Sequence, residues 1–161
     1  MSLAYEEPLD GVKLRKLKKY TDTRGWLIET FRDDELPEGF KPAMGYISLT
    51  HAGIARGPHE HKYQTDGFVF LSGHFKLYLW ENRQGKEKAK VVIDVGEDNP
   101  VFITVPPGVV HAYKNVGDKE ALVLNFPDKL YAGWGKQEPV DEIRHEDDIR
   151  SEFKLDIKEE K

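Results

Sequence analysis

Apolar and polar residues alternate along most of the chain in short runs, and this alternation predicts a protein built from β-strands. Segments such as GWLIETF, MGYISLT, FKLYLWEN and KVVIDV are rich in aromatic and β-branched residues, and most of them alternate apolar with polar positions. That spacing is typical of a strand with one buried face. Clusters of Gly, Pro, Asn and Asp separate the runs and indicate turns. Many short strands at this spacing predict an all-β sandwich or barrel.

Helix is expected only in short pieces. One helical turn is predicted over Asp33–Leu36 and another within Val140–Glu152, and the charged end SEFKLDIKEEK is expected to be either frayed or an edge strand. The basic segment GVKLRKLKKY alternates apolar with charged residues, which favours a solvated edge strand. No repeat or linker interrupts the pattern. Residues 1–161 are therefore predicted to form one domain, with its core between about residues 12 and 148.

Charge, cysteine content and hydropathy exclude several classes of protein. The 161 residues include no cysteine, so disulfides, thiol nucleophiles and thiolate metal sites are ruled out. A net charge of -5 argues against a nucleic-acid partner. No apolar run is long enough for a membrane-spanning helix, and the start MSLAYEEPLD does not resemble a signal peptide. We expect a cytoplasmic protein.

Three histidines and one aspartate form the strongest chemical signal. His59 and His61 are two residues apart, so on a strand both imidazoles point to the same face. Asp66 follows a predicted turn, and His111 comes directly after a second turn, in VPPGVVHAYKN. Such a set suits a divalent first-row metal such as Zn, Fe, Mn, Ni or Co. The same groups could instead form a hydrogen-bonded polar pocket without metal.

Two segments around these histidines resemble the two motifs of the cupin superfamily. In GIARGPHEHKYQTDGFVFLSG the first motif falls on Gly53, His59, His61, Asp66 and Gly73. In PPGVVHAYKN the second falls on Pro106, Gly108, His111 and Asn115. Aspartate stands where the first motif usually has glutamate. The resemblance implies a small β-barrel of the jelly-roll, or double-stranded β-helix, type.

A narrower resemblance, from Val12 to about Asp148, is to the dTDP-4-dehydrorhamnose 3,5-epimerases. DTRGWLIETF is similar to their opening D-x-R-G-x-x-x-E-x-F, and SLTHAGIARGPH to S-x-x-x-x-G-x-x-R-G-x-H. The resemblance implies a homodimer that acts on a dTDP-linked 4-keto-6-deoxy sugar. Such an enzyme removes a proton next to a ketone and returns it from the other face, without needing a metal.

The same resemblance implies roles for individual residues. His59 would be the base, since it falls on the histidine of R-G-x-H, and Arg56 would bind the diphosphate. The remaining predicted contacts with the nucleotide sugar are Arg24, Trp26, Glu29, His61 and Asn125.

Three positions depart from the epimerase pattern. The lysine that would stabilise the enolate falls at Asp66, and the catalytic tyrosine falls at Asn125, with Tyr131 nearby as a substitute. The late aspartate that would orient the histidine lies in a tail that this chain does not match. His61 is not needed by an epimerase, but R-G-P-H-E-H is similar to the R-G-x-H-x-H signature of the dTDP-sugar 3,4-ketoisomerases.

Three functions follow from these patterns. The first is a nucleotide-sugar epimerase or isomerase that uses a pocket histidine as its base. The second is a metal-dependent cupin, a dioxygenase or an isomerase of a small acid, with His59, His61, Asp66 and His111 as ligands. The third is a sugar-binding cupin without catalytic activity.

Overall fold

The computed structural model of the protein describes residues 4–156. Within this range the chain forms short strands and single turns of 3-10 helix. The strands are β1 (Lys13–Lys16), β2 (Lys19–Asp22), β3 (Gly25–Ile28), β4 (Tyr46–Thr50), β5 (Ala55–Glu60), β6 (Asp66–Phe70), β7 (His74–Glu81), β8 (Lys90–Gly96), β9 (Val101–Val105), β10 (Val109–Asn115), β11 (Ala121–Asn125) and β12 (Ile143–Arg144).

The strands form two facing five-stranded sheets and a separate hairpin. The first sheet has the order β1-β9-β6-β11-β4 and the second the order β12-β5-β10-β7-β8, while β2 pairs only with β3. Neighbouring strands are antiparallel throughout. This confirms the predicted all-β jelly-roll barrel. The segment GVKLRKLKKY supplies β1, an edge strand as predicted.

The core lies between the two sheets and consists of the residues that the alternation predicted. Phe75, Leu77 and Leu79 all point inward from β7 and are buried, together with Phe70 and Ile103 from the facing sheet. Burial of each such side chain stabilises the fold by roughly 1.5–3 kcal/mol. The core therefore fixes which face of each strand looks into the barrel.

The outer face of β7 is covered as well, by the C-terminal segment. Tyr78 and Trp80 are buried there against Phe153 and Leu155. The rings of Trp80 and Phe153 are 5.8 Å apart in an edge-to-face arrangement. The prediction of a frayed or edge-strand end is therefore wrong for residues 151–156, because an apolar side chain anchors them. Residues 157–161 lie outside the described range.

The short helical pieces lie where the sequence predicted them. A 3-10 turn over Asp33–Glu35 confirms the first prediction. A second 3-10 turn, over His145–Asp147, confirms the turn predicted within Val140–Glu152. Directly before it, the chain forms β12 on the edge of β5, which the sequence did not predict. Over residues 4–156, no helix is long and apolar enough to cross a membrane.

Candidate active site

Strand pairing brings the predicted histidines together at one end of the barrel. His59 and His111 lie directly opposite each other on the antiparallel strands β5 and β10. Gly57 allows this approach, since a Cβ atom there would lie only 2.5 Å from the carbonyl oxygen of His111. Asp66 begins β6 on the facing sheet. The donor atoms of His59, His61, Asp66 and His111 lie within 4.8 Å of one another.

Asp66 is buried at the centre of this cluster, where it accepts hydrogen bonds from two side chains and lies next to a third. Its Oδ2 atom accepts a hydrogen bond from His61 Nε2 at 2.9 Å, and its Oδ1 atom accepts one from Gln64 Nε2 at 2.7 Å. His111 Nε2 lies 3.0 Å from Asp66 Oδ2, but the contact is not directed as a hydrogen bond should be. The other nitrogen of His111, Nδ1, donates to the backbone carbonyl of Val109 at 3.0 Å.

The aspartate and its partners shift each other's protonation. Burial disfavours the charged form of His61, but the hydrogen bond and the charge of Asp66 outweigh it and raise the pKa of His61 to about 9. Burial likewise opposes ionisation of Asp66, but the neighbouring His111 and His61 hold the pKa of that carboxyl well below its usual range. His61 and Asp66 therefore form a buried ion pair at neutral pH.

Asp141, which the sequence analysis did not identify, completes the surroundings of His61. The Nδ1 atom of His61 donates to the backbone carbonyl of Asp141. The Asp141 carboxylate accepts backbone hydrogen bonds from Lys62, Tyr63 and Gln64 at 2.8–3.0 Å. Both nitrogens of His61 are thus engaged within the protein, so this ring is held in place rather than presented to a ligand.

His59 differs from His61, because it lines a cavity of about 440 Å³ that opens at the barrel mouth. The other lining residues are Tyr46, Ser48, Ala55, Arg56, Gly57, Phe68, Tyr113, Asn125, Glu142, Arg144 and Glu146. Burial, reinforced by His111, lowers the pKa of His59 to about 3, so its imidazole is neutral. Its Nδ1 atom lies 3.9 Å from a carboxylate oxygen of Glu142 and 3.9 Å from one of Glu146.

The wall of the cavity opposite His59 carries hydroxyl groups. Tyr46 and Ser48 come from β4, and Tyr46 lies directly across from Asn125 on β11. The Tyr113 hydroxyl is 3.0 Å from the Ser48 hydroxyl. Burial raises the pKa of both Tyr46 and Tyr113. Both phenols therefore carry their protons at neutral pH and can donate hydrogen bonds into the cavity.

Arg56 and Asn125 lie in the same cavity, as predicted for residues that bind substrate. The Arg56 guanidinium donates to Thr50 Oγ1 at 3.1 Å and to the carbonyl of Leu49 at 2.7 Å. These contacts fix the orientation of the guanidinium at the rim. The Asn125 amide is buried and donates to the carbonyl of Val123 at 3.1 Å.

Three other residues predicted to bind substrate lie outside this cavity. Arg24 and Trp26 belong to the β2–β3 hairpin, where Arg24 pairs with Asp22 and Trp26 is 54% exposed. Glu29 follows the hairpin and lines a different, shallow groove beside β1.

Tyr131 is not placed to act with His59. It lines a separate cleft of about 710 Å³, together with the exposed rings of Tyr63 and Trp134. The assignment of Tyr131 as a catalytic residue is therefore corrected, because the chain leaves the barrel after Asn125.

Other functional candidates escaped the sequence analysis. Tyr46 reaches the cavity through the pairing of β4 with β11, and Glu142, Arg144 and Glu146 reach it through the pairing of β12 with β5. No spacing along the chain signals these contacts. The only hint is the density of acidic residues in DEIRHEDD.

The buried cluster also fits a divalent metal ion. Three imidazoles and a carboxylate within 4.8 Å are a suitable donor set for a first-row ion. Among the described residues, His111 Nε2 is the one buried side-chain nitrogen or oxygen without a hydrogen-bond partner. A metal would require His61 to release the proton that it shares with Asp66. His59, His61, Asp66 and His111 would hold the ion, which would supply Lewis-acid chemistry beside the cavity.

Comparison with known proteins identifies the relatives of this chain. Residues 20–137 match the family model described as polysaccharide biosynthesis C-terminal domain. The chain is 37% identical over 127 residues to the spore coat polysaccharide biosynthesis protein SpsL of Bacillus subtilis, covering 76% of this chain and 82% of the relative. It is 33% identical over 129 residues to the "Probable low-salt glycan biosynthesis epimerase Agl13" of Haloferax volcanii, covering 76% and 81%.

A solved structure supports the same grouping. The dTDP-4-dehydrorhamnose 3,5-epimerase from Sulfolobus tokodaii matches with a TM-score of 0.72 and 20% identity, over 89% of this chain and 82% of that one. This match confirms the fold implied by the two motifs. The resemblance to sugar epimerases is confirmed by the relatives compared by sequence, one of which is named as an epimerase. Since the family model spans well over half of the sequence, the chain belongs to the polysaccharide biosynthesis C-terminal domain family.

Proposed function

We propose that the protein is a nucleotide-sugar epimerase or isomerase that acts in the cytoplasm on a dTDP-linked 4-keto-6-deoxy sugar. The observation that carries the proposal is the cavity at the barrel mouth. A neutral histidine, His59, lies on one wall, a protonated phenol, Tyr46, on the other, and an arginine, Arg56, at the rim. The named activity of the Haloferax relative, an epimerase, supports the same chemistry.

His59 is the base that removes the proton next to the ketone. Its low pKa keeps the imidazole free of a proton at neutral pH. A base with so low a pKa needs help when the proton arrives, and the carboxylates of Glu142 and Glu146 near Nδ1 supply it. They stabilise the imidazolium by charge, the part that the unmatched late aspartate plays in the epimerase pattern.

Tyr46 is the acid that returns a proton from the opposite face. The phenol of the epimerase pattern falls at Asn125, which has no proton to give. Tyr46 lies directly across from Asn125 on the neighbouring strand, so its side chain points to the same face of the sheet. The acid has thus moved from one strand to the next. Of the hydrogen-bonded hydroxyls of Ser48 and Tyr113, one donates to the other, and the second can donate a hydrogen bond to the enolate oxygen.

The β2–β3 hairpin contributes to the site in a homodimer. Arg24 and Trp26 are expected to contact the nucleotide, yet they lie outside the cavity of their own chain. The outer face of β4 and β11 carries the exposed residues Ile47, Leu49 and Leu122. An apolar face on an edge strand is a surface that a second copy can cover. In the proposed dimer, each hairpin contacts the nucleotide sugar bound in the other copy's cavity.

Solvent exchange tests the proposed chemistry. In D2O with a chelator present, the wild-type protein should introduce deuterium into dTDP-4-keto-6-deoxyglucose, measured by mass spectrometry. His59→Gln should slow this exchange on the order of 10²- to 10⁴-fold. Tyr46→Phe should keep the exchange but lose inversion, because His59 can still remove and return the proton on one face. Tyr63→Phe, an exposed tyrosine outside the cavity, is the matched control.

A metal-dependent reaction is the second candidate, favoured by the unpartnered Nε2 atom of His111. Under this alternative, the purified protein holds about one divalent ion per chain by elemental analysis, and His111→Ala releases it. Exchange that persists in the presence of chelator decides for the epimerase. Binding of dTDP in a thermal-shift assay without any exchange would leave only the sugar-binding function.

A further inference from the structure

Glu60 separates the two histidines of the H-x-H motif, and it points away from the cavity. Strand alternation sends His59 and His61 to the inner face of β5 and Glu60 to the outer face. There Glu60 is 7% exposed. Its Oε1 atom accepts hydrogen bonds from Asn82 Nδ2 at 2.8 Å and from His145 Nε2 at 2.9 Å.

His145 belongs to the segment that carries the carboxylates next to His59. Glu142 precedes it and Glu146 follows it, and both approach His59 Nδ1 to 3.9 Å. Arg144 links these two acids, with contacts of 3.6 Å to Glu142 and 2.5 Å to Glu146. One side chain of this short segment, His145, thus bonds to the outer face of β5. Three others, Glu142, Arg144 and Glu146, lie at its inner face.

The strand that holds this segment is too short to fix its own register. β12 consists of Ile143 and Arg144 only, paired with Glu60 and His59. A slip of one residue would turn Ile143 into the cavity and move Glu142 and Arg144 out of it, because neighbouring residues of a strand face opposite sides. A specific side-chain bond next to the ladder is needed to prevent the slip.

The hydrogen bond between Glu60 and His145 lies at that position. The His145 ring packs edge-to-face on Phe153 at 4.7 Å, and Phe153 packs on Trp80, which ties the segment to the sheet. Apolar packing alone could anchor the segment as strongly. The buried carboxylate adds a preference for one register, because its hydrogen bonds are satisfied in that register only.

We propose that Glu60 and His145 are positioning residues, whose bond on the outer face of β5 sets Glu142 and Glu146 beside His59 on the inner face. The inference rests on the proposed function of His59 as the base. Glu60, the middle residue of the H-x-H motif, thereby has a structural role in the site.

The test compares two substitutions of Glu60. Glu60→Gln keeps an oxygen acceptor for Asn82 and His145, while Glu60→Leu keeps the volume and removes the acceptor. We expect Glu60→Leu to lower kcat for the dTDP-4-keto sugar on the order of ten- to a hundredfold, with KM changed less than about twofold. Glu60→Gln should stay within about threefold of wild type. His145→Phe, which keeps the packing on Phe153, should reproduce the loss if Glu60→Leu does not fold.

A matched control comes from the same C-terminal segment. Glu152 forms an exposed ion pair with Lys88 at 2.9 Å, remote from the cavity, so Glu152→Ala should leave kcat unchanged. The proposal is overturned if folded Glu60→Leu and His145→Phe proteins keep the wild-type kcat, or if Glu152→Ala loses as much as they do.

A measurement that needs no activity separates this inference from the proposed function. The ¹⁵N signals of the His59 ring report its tautomer and its neighbours. They should shift in Glu60→Leu and match wild type in Glu60→Gln. If wild type shows no deuterium exchange, the function fails, and the ring signals still decide whether Glu60 positions the segment. Identical signals in all three proteins would refute the positioning role.

Discussion

The barrel mouth and the β2–β3 hairpin were both expected to bind the same substrate, yet they differ in every physical respect. At the barrel mouth, Asp66 and His61 are buried and joined by hydrogen bonds. On the hairpin, Trp26 and Leu27 are 54% and 60% exposed. Isolated two-stranded hairpins are marginally stable in water. The chain buries the polar cluster of the barrel mouth by itself, whereas the hairpin leaves its large apolar side chains exposed. Under the proposed function, the nucleotide-binding half of the site therefore depends on a second copy.

Removing the buried carboxylate should give the largest difference between the two regions. Asp66→Ala leaves His61 and His111 without their partner, so the free energy of unfolding should fall by about 3–5 kcal/mol. Asp22→Ala removes the equivalent partner of Arg24 on the hairpin, where the pair is exposed, and should leave the free energy of unfolding nearly unchanged. Urea unfolding of both variants measures the two values. Equal losses would mean that the cluster contributes no more than a surface pair.

The second-largest difference between the barrel mouth and the hairpin should be in the pH dependence of stability. The pKa of His61 is raised to about 9 in the folded protein, from about 6.5 in the unfolded chain. Its contribution is therefore complete below pH 6.5 and disappears as the pH rises to about 9, a loss on the order of 3 kcal/mol. The lowered pKa of His59 decreases stability at acid pH. The unfolded chain takes up this proton as the pH falls below 6.5, whereas the folded protein does so only near pH 3.

Urea unfolding between pH 6 and pH 9.5, with a chelator present, measures the alkaline loss. His61→Gln should flatten this part of the profile, because the substituted side chain does not titrate. Arg24→Ala, on the hairpin, should retain the wild-type slope. A wild-type profile that is already flat between pH 6.5 and 9 would show that His61 is not held as a cation.

The contrast also explains how much the sequence could predict. His59 and His61 follow from alternation along one strand, and His111 follows from its place after the turn in the second cupin motif. Tyr46 and Glu142 could not be predicted, because they reach the cavity through pairings between distant strands. Tyr131 was misplaced for a related reason. It is close to Asn125 in sequence, but β11 ends at Asn125 and the chain then leaves the barrel.

The hairpin shows a further limit of motif-based prediction. The motif D-x-R-G-x-x-x-E-x-F predicts that Arg24 and Glu29 contact the substrate. It does not indicate whether that substrate is bound in the same chain or in a second copy. In the structure, β2 and β3 pair around the turn at Thr23 and Arg24. In the proposed dimer the hairpin contacts a second copy, and a motif within one chain carries no information about such a contact.

The proposed dimer surface can be broken directly. Ile47 is 64% exposed on the outer face of β4. Ile47→Asp would place a charge in the contact between two copies, and the dimer dissociation constant should rise by about a hundredfold, measured by analytical ultracentrifugation. Val92→Asp, on the outer face of the other sheet, is the matched control and should leave the constant unchanged. If both variants sediment like wild type, the dimer forms elsewhere.

The smallest expected effect tests whether the hairpin serves its own cavity or that of a partner. Trp26→Ala should raise KM for the nucleotide sugar about tenfold without changing the unfolding midpoint, because one aromatic contact is lost and no core residue is touched. His59→Gln disables the cavity itself. When the two variants are mixed and allowed to exchange subunits, a mixed dimer has one intact site if the hairpin crosses between copies. At a substrate concentration far below the KM of wild type, random pairing should then restore about a quarter of the wild-type rate. If each hairpin served its own chain, mixing would restore nothing, since every cavity would keep one defect. The rate of the mixture therefore decides whether the cavity and the hairpin of one chain form the same site or contribute to two different sites.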